Sequence, residues 1–270
     1  MSHWVGKNAG MQTTSYPSDL TEAQWALLDP LLPKTKPRGR PPTPARTLFN
    51  AILYVLRGGI PWRFVPKDYG PWQTVYGKFR CWKKAGLWKT LNDRLRTQVR
   101  KDNGKRARPT ACILDSQTVR SADHGGAVGY DAAKKTKGRK RHLLVDTLGL
   151  MLAIWITPAS MPERAGAQGL LGQSLRWFPW LQRMWVDGGY TGPDFAAWVR
   201  TLRPKLDVEV VRRCDDVKGF KVLPRRWVVE RTFGWLMKQR RLVRDYEQTE
   251  TSASAMVHIA MIHIMLRRLA

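Results

Sequence analysis

The chain has 270 residues, of which 47 are Lys or Arg and 21 are Asp or Glu, giving a formal net charge of +26 at pH 7 and implying a polyanionic partner. A hydrophobic content of 43% is enough for a real core, but the longest apolar run, 148–157, is too short to span a bilayer, so nucleic acid is favoured over a membrane. Cys81, Cys112 and Cys214 show no CxxC spacing and 1–19 carries no signal-peptide apolar region, which excludes a zinc or disulfide framework and points to a reducing, cytoplasmic setting.

Residues 1–19 read as a loose arm. Thr21 and Gln24 form a capping box that opens a helix ending near Pro33. Residues 34–44 are a basic, proline-rich linker containing Pro37-Arg38-Gly39-Arg40-Pro41. An extended Arg-Gly-Arg can lie in a narrow minor groove, so Arg38 and Arg40 are candidate DNA contacts, with a solvated linker as the alternative. Helices are predicted over 46–57, 72–85 and 87–101, and together they define an all-helical domain over 20–102. The third of its four helices carries Gln73, Lys78, Arg80 and Lys83 beside Tyr76 and Trp82, which suits a helix-turn-helix element reading DNA.

After 102 the pattern changes. Short apolar strands are predicted at 110–114, 142–145, 150–156, 183–186 and 208–211, with helices over 163–178, 193–202, 224–244 and 250–269. Residues 116–139 read as a long polar loop. Its basic run, Lys134, Lys135, Lys137, Arg139, Lys140 and Arg141, could clamp DNA through phosphate contacts, with a solubilising or nuclear-localisation-like charge run as the alternative. Three antiparallel strands followed by strands added through helical crossovers is the order of a ribonuclease-H-like mixed sheet. The fold class is therefore α+β to α/β, a helix-turn-helix-like domain followed by such a domain over 103–270.

In that sheet the first and fourth strands are parallel neighbours, so Asp115 and Asp187, each read as closing its strand, emerge side by side. Asp146 closes an antiparallel strand and is read as a hairpin-turn residue at the far end. At 100° per residue Glu230 points outward among Arg226, Gly234 and Arg241, while Val228, Thr232, Trp235, Leu236, Leu242 and Val243 form a core face. Glu230 is either a salt-bridging surface acid or a third carboxylate converging with the two aspartates.

The segments LDSQTV around Asp115, GYDAAKKTKGRKRHLLVDTLGL, WVDGGYTG around Asp187 and PRRWVVERTFGWL around Glu230 resemble the DDE transposases of bacterial insertion sequences, specifically insertion-sequence family five. The helical part, with LTEAQW, GRPP, RTLFNAILYVLRGGIPWRFVP and PWQTVYGKF, is similar to that family's DNA-binding region. The resemblance implies that Asp115, Asp187 and Glu230 form the catalytic, metal-binding triad. It implies two Mg²⁺ per site, replaceable by Mn²⁺, and double-stranded DNA partners, the element's terminal inverted repeats and the target. Because one molecule has one site and an element has two ends, a homodimer or higher oligomer on DNA, associated with the nucleoid, is expected. Arg226 matches the arginine of a related signature; the tyrosine expected three residues earlier is Leu223. The signature lysine falls on Met237, leaving Lys238 or Arg241 to contact a phosphate. The expected activity is end cleavage and strand transfer into target DNA. The alternatives are a catalytically silent DNA-binding regulator and a nuclease or resolvase of the same fold.

Overall fold

The computed structural model describes residues 16–34, 41–122, 126–211 and 227–270. Four helices come first: α1 (Glu22–Leu28), α2 (Ala45–Gly58), α3 (Trp72–Lys84) and α4 (Leu87–Asp102). The α1 capping box forms as the sequence predicts, with the Gln24 amide donating to the Thr21 hydroxyl and the Thr21 amide donating to the Gln24 side chain. At the end of α2, Gly59 takes φ +72°, a left-handed cap that a Cβ would penalise.

The second half contains β1 (Ala111–Arg120), β2 (Gly129–Asp131), β3 (Thr136–Asp146), β4 (Met151–Pro158), α5 (Glu163–Ser174), β5 (Arg183–Val186), α6 (Pro193–Leu202), β6 (Asp207–Val210), α7 (Trp227–Met237), α8 (Arg240–Val243) and α9 (Glu250–Leu269). All six strands share one sheet. β3 pairs antiparallel with β1, β2 and β4; β5 lies parallel to β1, and β6 parallel to β5. This is the ribonuclease-H-like order expected from the sequence.

Residues 116–139 correct the sequence reading. They are not one long loop: β1 runs to Arg120, β2 intervenes, and β3 begins at Thr136. Polar side chains hid these strands because their partners are also polar. The Thr118 hydroxyl donates to Asp131 at 2.6 Å, and Lys140 pairs with the same carboxylate at 3.2 Å.

Strand alternation divides the core. Ile113, Leu143, Val145 and Trp185 face one side, where they join the helices before residue 102 together with α7 and α9; Cys112, Leu114, Leu144, Met184 and Val186 face α5 and α6. The helical layer and the sheet thus share a single apolar cluster, closed by α9 lying along α4. The other face depends on close approach. A Cβ on Gly166 would lie 2.0 Å from the His142 ring and one on Gly169 1.9 Å from Trp155, so α5 can sit this near the sheet only with glycine at both positions.

Candidate active site

Asp115 lies in the middle of β1, opposite Leu143, and does not close that strand, because β3 accompanies β1 as far as Arg120. Asp187 does close its strand, directly after β5. The parallel register pairs Ile113 with Trp185, and two residues further along each chain stand Asp115 and Asp187. Asp187 keeps an extended backbone, φ −86° and ψ 178°. Alternation therefore aims both aspartates to the side of Ile113 and Trp185, the face that α7 covers.

Each aspartate is oriented by a backbone amide. Ser116 N–H donates to Asp115 Oδ1 at 2.7 Å, and Gly189 N–H donates to Asp187 Oδ1 at 2.9 Å. Both aspartates are partly exposed. A further acid, not singled out from the sequence, joins them: Glu163, the first residue of α5. Its Oε1 accepts from the Ser116 hydroxyl at 3.1 Å. The point a Cβ on Gly189 would occupy lies 3.0 Å from Asp187 Oδ1 and 3.2 Å from Glu163 Oε2. In the sequence Glu163 reads only as the acid that suits a helix N-terminus. The signal available was positional, since the first crossover helix must start where the third strand ends.

Tyr190 lies beneath these acids, 1% exposed. Its hydroxyl makes no hydrogen bond of ordinary geometry, although the Ser116 hydroxyl is close enough to favour the phenolate slightly. Burial, then the charges of Asp115, Glu163 and Asp187, push its phenol far above the usual range. Trp185 is buried too, and its indole N–H donates to Glu209 at 2.8 Å. Both rings are buried, whereas Trp227 is 39% exposed.

Glu230 is exposed on the first turn of α7. Buried Val228, Val229, Phe233 and Leu236 seat this helix against the sheet, and the Thr232 hydroxyl donates to Gly149 O at 2.9 Å. Arg231 stacks between Trp227 and Trp235, its guanidinium 4.5 and 4.7 Å from their ring centres, and donates to Leu148 O. The structure thus puts Asp115 beside Asp187 and places Glu230 on the helix covering the same face. Among the described residues, no group of three or more Asp, Glu, His or Cys is close enough to hold a metal ion.

Asp146 is excluded from the site, as expected. It is fully buried, pairs with Arg100 at 2.6 Å, and accepts the amides of Leu148 and Leu150 at the hairpin.

The basic candidates separate by burial. Lys134, Lys135 and Lys137 are exposed around the β2–β3 turn. Arg139, Lys140 and Arg141 are not, which corrects the phosphate-clamp reading for all three; Arg141 is 2% exposed and donates to Leu242 O. Arg139 is 1% exposed, paired with Asp245 at 3.2 Å and bonded to Glu247 O, and Lys140 is held by Asp131 and Met161 O. Burying a cation is costly unless it is paired, and all three sit on an interior strand. Arg241 is likewise corrected. The helix breaks at 238–239, so the alignment with Glu230 fails, and Arg241 pairs with Glu247 at 2.8 Å and bonds Ile60 O. The same break leaves Val243 half exposed, while Lys238 stays exposed. On α3, Gln73 and Arg80 are exposed; Lys78 lies 5.3 Å over the buried Trp82 ring, and Lys83 donates to Ser252 at 2.9 Å. Arg38, Arg40 and Arg226 lie outside the described residues.

A mixed sheet of this order, with paired aspartates on its neighbouring parallel strands, defines a ribonuclease-H-like fold of the kind that carries phosphodiester chemistry. Comparison with known proteins narrows the class. A family model described as "Transposase DDE domain" matches residues 106–265, and one described as "Putative transposase of IS4/5 family" matches 20–92. The chain belongs to the DDE transposase family. It is also similar to a Burkholderia cepacia protein described as "Insertion element IS402 uncharacterized 16.2 kDa protein", 32% identical over 112 residues, 39% of this chain and 75% of that protein. No solved structure matches. Among the described residues no helix is long and apolar enough to cross a membrane.

DDE transposase domains generally use divalent metal ions. The side chains at the site suit such ions. Asp115, Asp187 and the neighbouring Glu163 offer only carboxylate oxygens, the donors preferred by hard cations, while Cys112 is buried on the opposite face of the sheet.

Proposed function

We propose that the protein binds the inverted-repeat ends of its insertion sequence, cuts there, and joins the freed ends to target DNA, using Mg²⁺ held by Asp115, Asp187 and Glu230. The observation that carries this reading is the side-by-side placement of Asp115 and Asp187 within a chain of the DDE transposase family. When bound, the divalent cations supply Lewis-acid activation of the attacking water or 3′-hydroxyl and neutralise charge at the scissile phosphate.

The chain's own residues do the rest. The Ser116 and Gly189 amides hold Asp115 and Asp187 in fixed orientations, so little reorganisation precedes metal capture. Glu230 enters from α7 on the same face. Two ions per site and Mn²⁺ as a substitute are part of this proposal. Exposed Lys134, Lys135 and Lys137 track the DNA backbone, with Lys238, and Arg226 four positions before Glu230 in the sequence, as further phosphate contacts. Residues 20–102, with Arg38, Arg40, Gln73 and Arg80, bind the ends, and Lys78 and Lys83 add their charge to that surface. One site serves one end, so a homodimer or higher oligomer acts on the paired ends, on nucleoid DNA in the cytoplasm.

The test is incubation of the full chain with Mg²⁺ and linear DNA carrying the element's ends, with joined and cut products separated on a gel. Joined products support transposition. Cutting without joining identifies a nuclease or resolvase, and specific binding without either identifies a DNA-binding regulator.

A further inference from the structure

Glu163 belongs to no part of the proposed triad, yet the fold brings it to the aspartates by three independent routes. Ser116 bridges two acids, its amide donating to Asp115 Oδ1 at 2.7 Å and its hydroxyl to Glu163 Oε1 at 3.1 Å. Gly189 lies between the other pair: its amide donates to Asp187 Oδ1, and the position of an added Cβ lies within 3.2 Å of oxygens from both Asp187 and Glu163. Arg164, next in sequence, donates to Gly189 O at 3.1 Å and also to Thr191 O, tying the first turn of α5 to the turn that follows Asp187.

Two features suggest that this cluster is built to hold a ligand. Glu163 is partly buried and makes no ion pair among the described residues, although cations are abundant in the chain. Below it, the hydroxyl of Tyr190, 1% exposed, makes no hydrogen bond of ordinary geometry and feels the charges of all three acids. Carboxylates repel one another and keep their distance until a cation compensates them. Glu163, one methylene longer than an aspartate, has the longest reach of the three.

We propose that Glu163 is a fourth acidic residue of the active site, coordinating the divalent cation on the side of Asp187, either directly or through a metal-bound water. The proposal rests on the metal-dependent reading given above. Its geometry sets Glu163 apart from Glu230: one acid approaches from the crossover helix behind the sheet, the other from the helix covering its front.

The test measures Mn²⁺ binding to the full-length chain on end DNA by electron paramagnetic resonance, for wild type, Glu163→Gln, Glu163→Asp and Asp187→Asn. DNA affinity and circular dichroism are followed in parallel. Glu163→Gln preserves volume and can still accept from Ser116, so loss of folding is not expected. The expected result is Mn²⁺ binding weakened at least about tenfold in Glu163→Gln, with partial recovery in Glu163→Asp and unchanged DNA affinity. Wild-type Mn²⁺ affinity in Glu163→Gln, together with a loss in Asp187→Asn, overturns the role of Glu163 while leaving the transposase reading intact. Mn²⁺ binding unaffected by Asp187→Asn contradicts that reading itself.

Discussion

Asp115 and Asp187 occupy equivalent positions on adjacent parallel strands, each two residues beyond the Ile113–Trp185 pair, although 72 positions separate them in the chain. The parallel pairing of β1 and β5 is what makes them neighbours. Any change that shifts this register by one residue would turn one aspartate to the opposite face.

Asp146 lies near both in sequence pattern and far from them in role. Asp146→Asn should leave Arg100 buried without its counter-charge and cost about 3–5 kcal/mol of stability. At a temperature where the variant is folded, cleavage of end DNA should persist. Chemical denaturation and a gel cleavage assay on one preparation check both outcomes.

Within one basic run, burial separates the exposed lysines proposed to meet DNA from the cations that hold the fold. Replacing Lys134, Lys135 and Lys137 with Ala should leave stability nearly unchanged and reduce the slope of log K against log[salt] for DNA binding by roughly 2 to 3. Arg139→Ala should instead unfold the chain more easily by about 3–5 kcal/mol, since Asp245 would lose its buried partner. Salt-dependent binding isotherms and urea melts distinguish the two classes.

Glycines on α5 make a contrasting set. Gly166→Ala and Gly169→Ala drive a Cβ into His142 and Trp155 and should each destabilise by about 1–3 kcal/mol or more. Gly172→Ala meets nothing within 4 Å on the exposed side of the same helix and should stabilise by up to about 1 kcal/mol. Thermal melting of the three variants reads the difference directly.

Two buried histidines give a pH dependence with a defined sign. His142, desolvated and next to Lys140, and His263, desolvated and close to Arg57 and Arg267, are both pushed down to about 4. Each is neutral in the fold and takes up a proton near pH 6.5 once unfolded. Their contribution is fully present above that pH and declines as the pH falls from 6.5 to about 4, by about 1.4 kcal/mol per pH unit for each histidine. Urea midpoints at pH 7.5 and pH 5 should differ accordingly, and His263→Leu should flatten the dependence.

Much of this was legible in the sequence because the core strands are apolar and bounded by turns. The strand order, the hairpin role of Asp146 and the pairing of Asp115 with Asp187 all follow from short runs such as Arg183–Val186. What was hidden has a common cause. The ends of β1 and β3 are strands built from Thr118, Arg139, Lys140 and Arg141, whose burial depends on Asp131, Asp245 and the Leu242 carbonyl, partners that lie up to 106 residues away. No local hydropathy pattern encodes them. Glu163 was missed for the same reason: its significance comes from Ser116 and Gly189, which only the crossover brings near. The break at 238–239 separates Arg241 from the face of Glu230, and Arg241 instead pairs with Glu247 and bonds Ile60 O, 181 residues away.

The most direct test of the proposed metal-binding role of the aspartate pair is cleavage of end DNA by Asp187→Cys in Mg²⁺ and in Mn²⁺, since a thiolate is a poor ligand for the former and a better one for the latter. The expected result is activity lost in Mg²⁺ and partly restored in Mn²⁺, with DNA binding unchanged throughout. Wild-type cleavage rates for the variant in Mg²⁺ would show that Asp187 holds no catalytic cation and would contradict the assignment.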